Sequence, residues 1–210
     1  DGGVHMYWSR PRGTAGDPSR AELIDALADA ARCLGHCEWI ASVDSALHLG
    51  QLQPWQLPRI RERLSGRRRA WVDLVDRRAE SGLESIVRVI AVELGFRVRS
   101  QVRIPGIGRV DLVVEVWGVV ETYGSAFHDV ALSPRDRRRD ARLFATGRSV
   151  IRPGYSLVVH DQLAVVQQLI GAVSAHRRVK NSGQIVSRAR RRAEKWRPSG
   201  VVDPADRRNP

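Results

Sequence analysis

The hydrophobic period changes between residues 81 and 104, and this change constrains the fold more than any other feature. Residues 83–94 repeat apolar side chains at helical spacing, after a Ser-x-x-Glu start that is typical of a helix N-terminus. Beyond Gly95, apolar and polar residues alternate from 98 to 104, which predicts a strand with one basic face. A helix that leads directly into a strand indicates a domain of mixed α and β structure.

The segment after this strand predicts the rest of a small sheet. Residues 105–108 are Pro-Gly-Ile-Gly, which is typical of a turn. Beyond the turn we expect strands at 109–116 and 119–123, a charged helix at 134–146, a short strand at 148–152 and a last helix after Asp161. The expected fold class is therefore α/β (α+β), with an αβββαβ core and a mixed sheet, preceded by a small helical region.

Composition divides the chain into three expected parts. Residues 1–80 are expected to be helical, with helices near 19–34, 38–49, 55–64 and 69–78. Because the chain begins with Asp1, we expect this part to be truncated upstream. Residues 81–176 hold the αβββαβ core. Residues 177–210 are expected to form a basic, largely disordered tail, since nine basic residues and one acid lie between 177 and 197.

The charge of the chain favours DNA as a partner. The formal net charge is +12, and all but two of the 35 basic residues are arginines, whose guanidinium groups match phosphate oxygens. The alternative is an arginine-rich surface that is only solvated. No run approaches the ~20 apolar residues of a membrane-spanning helix, so we expect no membrane partner. A protein partner or self-association through the N-terminal helices is a further expectation.

The candidate DNA contacts are arginines of the charged helix and of the basic tail. They are Arg135, Arg138, Arg139, Arg142, Arg188, Arg190, Arg191 and Arg192. The tail favours non-specific contact, because a flexible basic segment needs little geometry to bind a polyanion. For the charged helix, the alternative is a solvated face with internal salt bridges.

The two cysteines, Cys33 and Cys37, flank a short segment that contains His36. Two thiols near a histidine suggest a metal, but a structural zinc site needs four ligands and the sequence has no second pair of cysteines. We therefore predict two reduced, buried side chains in a helical region, and from them a reducing, cytoplasmic compartment.

Two acids interrupt the apolar strands, Asp111 in the second strand and Glu121 in the third. A carboxylate in such a position is unfavourable without a partner or a metal. A two-residue hairpin loop at 117–118 would place them on opposite faces. A three-residue loop at 116–118, with Gly118 left-handed, would place both on one face with Tyr123. Such a group of oxygen ligands suits Mg²⁺ or Mn²⁺.

The motifs occur in an order that resembles a known family. Four motifs carry the resemblance: Glu84 after Gly-Leu, Gly-Arg-Val-Asp111-Leu-Val, Val-Glu121-x-x-Gly-x-x-Phe-His128 and Asp-Arg-Arg-Arg-Asp140. Together they are similar to a family of unknown function that is related to the very-short-patch repair endonucleases. That family lies within the PD-(D/E)XK nuclease superfamily, and the resemblance covers about residues 80–175. Residues 36–64 more weakly resemble the helical segment of chains likened to abortive-infection antitoxins, although the winged helix of those chains is missing.

The resemblance implies a restriction-endonuclease-like fold and a metal-dependent DNA endonuclease. Asp111 and Glu121 would be metal ligands, Glu84 a supporting acid, and His128 a proton carrier or phosphate contact. The residues alone leave simpler roles open: a turn acid for Asp111, a helix cap or an Arg88 partner for Glu84, and a structural loop residue for His128.

The sequence departs from the family at Tyr123, where members usually carry a second acid, and it lacks the superfamily's usual lysine. The alternative function is therefore a catalytically degenerate, nuclease-fold DNA-binding regulator or antitoxin-like protein.

Overall fold

The computed structural model describes residues 22–115, 118–122, 134–175 and 182–198. Its helices are α1 (Leu23–Ala30), α2 (His36–His48), α3 (Leu57–Arg63), α4 (Gly82–Glu93), α5 (Pro134–Ala145), α6 (Tyr155–His160), α7 (Gln162–Ala175) and α8 (Ser182–Lys195). Short 3-10 helices cover Pro54–Gln56 and Gly66–Leu74. Its strands are β1 (Val98–Ile104), β2 (Gly108–Val114), β3 (Gly118–Val120) and β4 (Ser149–Ile151).

The four strands form one mixed sheet in the order β1-β2-β3-β4. The first three strands are antiparallel neighbours, whereas β4 runs parallel to β3 after the crossover through α5. The predicted α/β fold with an αβββαβ core and a preceding helical region is therefore confirmed.

The loop between β2 and β3 differs from both predicted hairpins. Val114 pairs with Gly118, so the loop comprises residues 115–117. Of the residues described at this turn, Glu115 is left-handed, with φ +55°, and Gly118 is not. Glycine at position 118 permits a close approach of the strands instead, because a Cβ there would lie 3.1 Å from the Val114 carbonyl oxygen. Next to the pair of Leu112 and Val120, Asp111 is the preceding residue of β2 and Glu121 directly follows the end of β3.

Strand β1 contains a local irregularity opposite Asp111. Gln101 has a φ of +54°, which is unusual for a residue with a side chain. The pairing of β1 with β2 resumes on either side of it, at Ser100 and at Val102. This distortion directs the Gln101 side chain towards α4, where its amide hydrogen-bonds the Glu84 carboxylate.

One main hydrophobic core joins the N-terminal helices to the αβββαβ domain. It contains Trp39 and Ile40 of α2, Ile90 of α4, Leu112 of β2 and Leu169 of α7. A smaller cluster lies on the other face of the sheet, where Leu143 of α5 covers strand residues such as Val113. The residues before 81 thus share a core with the predicted nuclease-like domain.

Part of the predicted disordered tail is a helix that packs on the rest of the protein. Ala189 of α8 is buried, and Trp196, directly after the end of this helix, is only 9% exposed. The Arg188 guanidinium donates to the Gly95 carbonyl oxygen at 2.7 Å, beside the end of α4. The prediction of disorder is therefore wrong for residues 182–195. Between its arginines, this helix carries an apolar stripe that includes Ile185 and Ala193 and packs against the core.

Three smaller predictions also need correction. The fourth N-terminal helix, predicted at 69–78, is instead the 3-10 helix Gly66–Leu74. Helix α6 was not predicted. Cys37 is buried as expected, but Cys33 is exposed and lies in a turn after α1. Among the described helices, none has the length and apolar content required to cross a membrane.

Candidate functional site

Glu84 is held in the first turn of α4 by the predicted cap. The Glu84 backbone N–H donates to the Ser81 hydroxyl at 3.1 Å, which confirms Ser81 as the N-cap. The Glu84 carboxylate accepts the Glu80 backbone N–H at 3.0 Å, and it also accepts the Gln101 amide through both oxygens. Arg88 is not its partner, because that guanidinium binds the buried Asp44 carboxylate at 2.8 Å.

Glu84 is 1% exposed, and its position makes the charged form unfavourable. The pKa of Glu84 is raised from 4.5 to about 7, mainly by burial, and the nearby charges of Asp111 and Glu80 act in the same direction. The hydrogen bonds from the Glu80 backbone and from Gln101 act in the opposite direction. Gln101, which contacts the Glu84 carboxylate, lies opposite Asp111 in the pairing of β1 with β2, so the two predicted acids are on neighbouring segments.

Asp111 is half-buried in β2 and faces the chain just beyond β3. Its Oδ2 atom accepts the backbone N–H of Thr122 at 2.9 Å. Since Thr122 follows Glu121 directly, this bond holds the end of β3 beside Asp111. The strand pairing and this bond together bring the two predicted metal ligands to the same end of the sheet.

Glu121 is 4% exposed, and its carboxylate forms ion pairs with two arginines. Its Oε1 lies 2.5 Å from Arg139 Nη1, and its Oε2 lies 2.9 Å from Arg152 Nη2. Arg152 also donates to Asp140 at 2.8 Å. Arg139 further contacts the carbonyl oxygen of Arg109. The negative charge of Glu121 is therefore neutralised by protein cations.

The predicted DNA-contacting arginines have different positions in the structure. Arg139 lies inside the acidic site, and Arg142 donates to the Gly106 carbonyl oxygen at 3.1 Å. Arg188 and Arg192 donate to the last carbonyl groups at the end of α4. These three arginines are exposed despite their hydrogen bonds, and Arg138, Arg190 and Arg191 are exposed as well. His128, Tyr123 and the side chain of Arg135 lie outside the described residues.

The three predicted acids do not form a compact metal cage. In the described ranges, the only group of three or more metal-ligating side chains with all ligand atoms within 4.8 Å is His36, Cys37 and Glu93. Glu84, Asp111 and Glu121 are brought to one region but are not packed that closely. Gln101 and Arg152 also contact these acids, and the sequence does not predict this, because neither their spacing nor their residue type marks them as neighbours of Glu84 or Glu121.

Comparison with family models, with curated proteins and with solved structures finds no match for this chain.

Proposed function

We propose that this chain binds DNA and hydrolyses phosphodiesters at a divalent-metal site of the PD-(D/E)XK type, centred on Asp111 and Glu121. The observation that supports the proposal is the convergence of Glu84, Asp111 and Glu121 from α4, β2 and the end of β3. The bordering arginines are suited to a polyanionic substrate, because guanidinium groups bind phosphate through two parallel hydrogen bonds.

The donor set is chemically suited to Mg²⁺ or Mn²⁺, because both ions prefer carboxylate oxygens. When bound between Asp111 and Glu121, such an ion would activate water and stabilise the charge of the transition state. Glu121 must first be released from Arg139 and Arg152, which occupy its carboxylate. A DNA phosphate competes for these guanidinium groups, so substrate binding would free Glu121.

Glu84 would move a proton near this centre. With a pKa of about 7, it populates both protonation states near neutral pH. The Gln101 amide and the Glu80 backbone N–H fix the carboxylate in place in either state. Glu84 is thus a positioning acid or a proton carrier, rather than a third metal ligand.

The second candidate function is a catalytically degenerate, DNA-binding regulator. The pairing of Glu121 with two arginines favours it, because protein cations then take the place of the metal ion. The replacement of the family's second acid by Tyr123 favours it as well.

Nicking of a supercoiled plasmid with Mg²⁺ or Mn²⁺ separates the two functions. We expect the wild-type chain to nick DNA and Asp111→Ala to lose about 100-fold or more, since loss of even an outer partner of a metal site costs about 10- to 100-fold. Asp73→Ala, at an exposed position that pairs with Arg61, is the matched control and should keep its activity. DNA binding without metal-dependent nicking would reject the enzyme and support the regulator.

DNA binding is tested separately, by the salt dependence of the affinity. Arg190 and Arg191 are exposed, whereas Arg188 and Arg192 bind the end of α4. Replacing Arg190 and Arg191 with alanine should weaken binding and reduce the slope of log K against log salt by about 2, that is, about one per lost phosphate contact. If the wild-type chain does not bind DNA even at low salt, both functions are wrong.

A further inference from the structure

A second group of metal-ligating side chains lies at the opposite end of α4 from Glu84. His36 and Cys37 are the first two residues of α2, and Glu93 is the last residue of α4. His36 Nε2 lies 2.9 Å from Glu93 Oε2 and 3.4 Å from Cys37 Sγ. One ligand atom from each of the three residues lies within 4.8 Å of the others. An imidazole, a thiol and a carboxylate therefore face one point.

From this geometry we propose that His36, Cys37 and Glu93 bind a zinc-type transition-metal ion. Zn²⁺ binds nitrogen and oxygen at about 2.0–2.2 Å and sulfur at about 2.3 Å in a tetrahedral arrangement, which separates neighbouring ligand atoms by about 3.3–3.6 Å. The two observed separations, 2.9 and 3.4 Å, are close to this range. The third pair of ligand atoms, from Cys37 and Glu93, lies within 4.8 Å, so side-chain rotation would bring all three around one ion, and an exogenous ligand such as water would complete the fourth position.

The surroundings also support a metal site. The Trp196 indole N–H donates to Glu93 Oε2 at 3.0 Å, which orients the carboxylate as an outer hydrogen-bond partner does in metal sites. Cys37 is fully buried, whereas the side chains of His36 and Glu93 are 19% and 30% exposed. The thiol is thus shielded, while the other two ligands leave a path for an ion.

Binding requires a defined movement of protons. Cys37 loses its thiol proton to solvent, because the thiolate is the ligand. The Nε2 atom of His36 must present its lone pair, so that the proton of a neutral imidazole resides on Nδ1. The ion would then link the start of α2 to the end of α4, and through Trp196 to the segment after α8.

Cobalt titration of the full chain tests this proposal. The chain is first freed of metal and reduced with a phosphine, and Co²⁺ is then added while thiolate-to-cobalt absorption is recorded. We expect this absorption in the wild-type chain and its loss when Zn²⁺ is added in competition. A carboxylate site at Asp111 gives no thiolate absorption, so the result is independent of the proposed nuclease activity.

Three variants assign the ligands. Cys37→Ser should abolish the thiolate absorption, and Glu93→Gln should lower the cobalt affinity by about tenfold or more. Cys33→Ser is the matched control, because Cys33 is exposed and outside the group, and it should bind like the wild type. Circular dichroism checks that each variant folds, and Glu93→Gln decides the assignment if Cys37→Ser does not fold. Absence of thiolate absorption in the wild type, or an equal loss in Cys33→Ser, would overturn the proposal.

Discussion

The titration of Glu84 gives a sharp prediction for the substitution Glu84→Gln. In the folded chain the pKa of Glu84 is raised from 4.5 to about 7, mainly by burial. Between these pH values the folded state holds a proton on Glu84 that the unfolded chain has lost. The contribution of Glu84 to the free energy of unfolding therefore falls as pH rises from about 4.5 to about 7, and it becomes constant above pH 7.

The size of the effect follows from the two pKa values. Each pH unit between them is worth about 1.4 kcal/mol, so charged Glu84 destabilises the fold by about 3 kcal/mol above pH 7. A glutamine remains neutral throughout, and its amide can donate to Gln101 Oε1, which is buried without a hydrogen-bond partner. The stability of Glu84→Gln relative to the wild type should therefore rise by about 3 kcal/mol from pH 4 to pH 8.

Urea unfolding at a series of pH values, in the presence of a chelator, measures this difference. Subtracting the wild-type curve removes the contributions of other titrating groups, such as Asp76, whose pKa is lowered to about 2 by hydrogen bonds from Arg78 and Ser100 despite its burial. Glu62→Gln, at an exposed position in α3, is the control and should give a flat difference. A flat difference for Glu84→Gln as well would refute the assigned burial of a charged carboxylate.

Three further substitutions test the packing around α4, each by urea unfolding followed by circular dichroism. Arg88→Ala should destabilise the protein by about 3–5 kcal/mol, because it leaves the Asp44 carboxylate buried without its cation. This loss should shrink as pH falls, since burial already raises the pKa of Asp44. Trp196→Ala should cost about 3 kcal/mol through lost burial. Gly95→Ala should cost about 1–2 kcal/mol, because Gly95 has φ +85° and a Cβ would lie 2.6 Å from Arg192 Nη1. An unchanged unfolding midpoint would contradict the assigned contact for Arg88→Ala or Trp196→Ala, and the assigned backbone conformation for Gly95→Ala.

The order of the elements could be predicted because local chemistry determines it. Ser81 caps α4 through the Glu84 backbone, as the Ser-x-x-Glu spacing predicts. Gly95 and Gly147 follow the ends of α4 and α5 with positive φ, which is typical of residues that terminate helices. The register of β2 and β3 was harder to predict from the sequence. Glu115 takes the left-handed conformation that any rule of residue preference assigns to Gly118.

The acids of the site could be predicted because they interrupt apolar strands, but their partners could not. Arg152 lies 31 positions from Glu121, and Gln101 lies 17 positions from Glu84. Such pairs depend on strand pairing and on backbone distortion, neither of which a single sequence specifies. Helix α8 is a different case, because Ile185, Ala189 and Trp196 already repeat at intervals close to helical spacing. The high arginine content obscured this apolar stripe.

The docking of α8 has a consequence for how the chain acquires its structure during synthesis. Helix α4 packs against α2, which precedes it, and its end is hydrogen-bonded by Arg188, which lies 93 residues after Gly95. The contact between Trp196 and Glu93 forms across a similar distance along the chain. The end of α4 therefore lacks these contacts on the nascent chain until Trp196 has left the ribosome. Such long-range closure slows folding and extends the period in which apolar surface is open to chaperones or to aggregation.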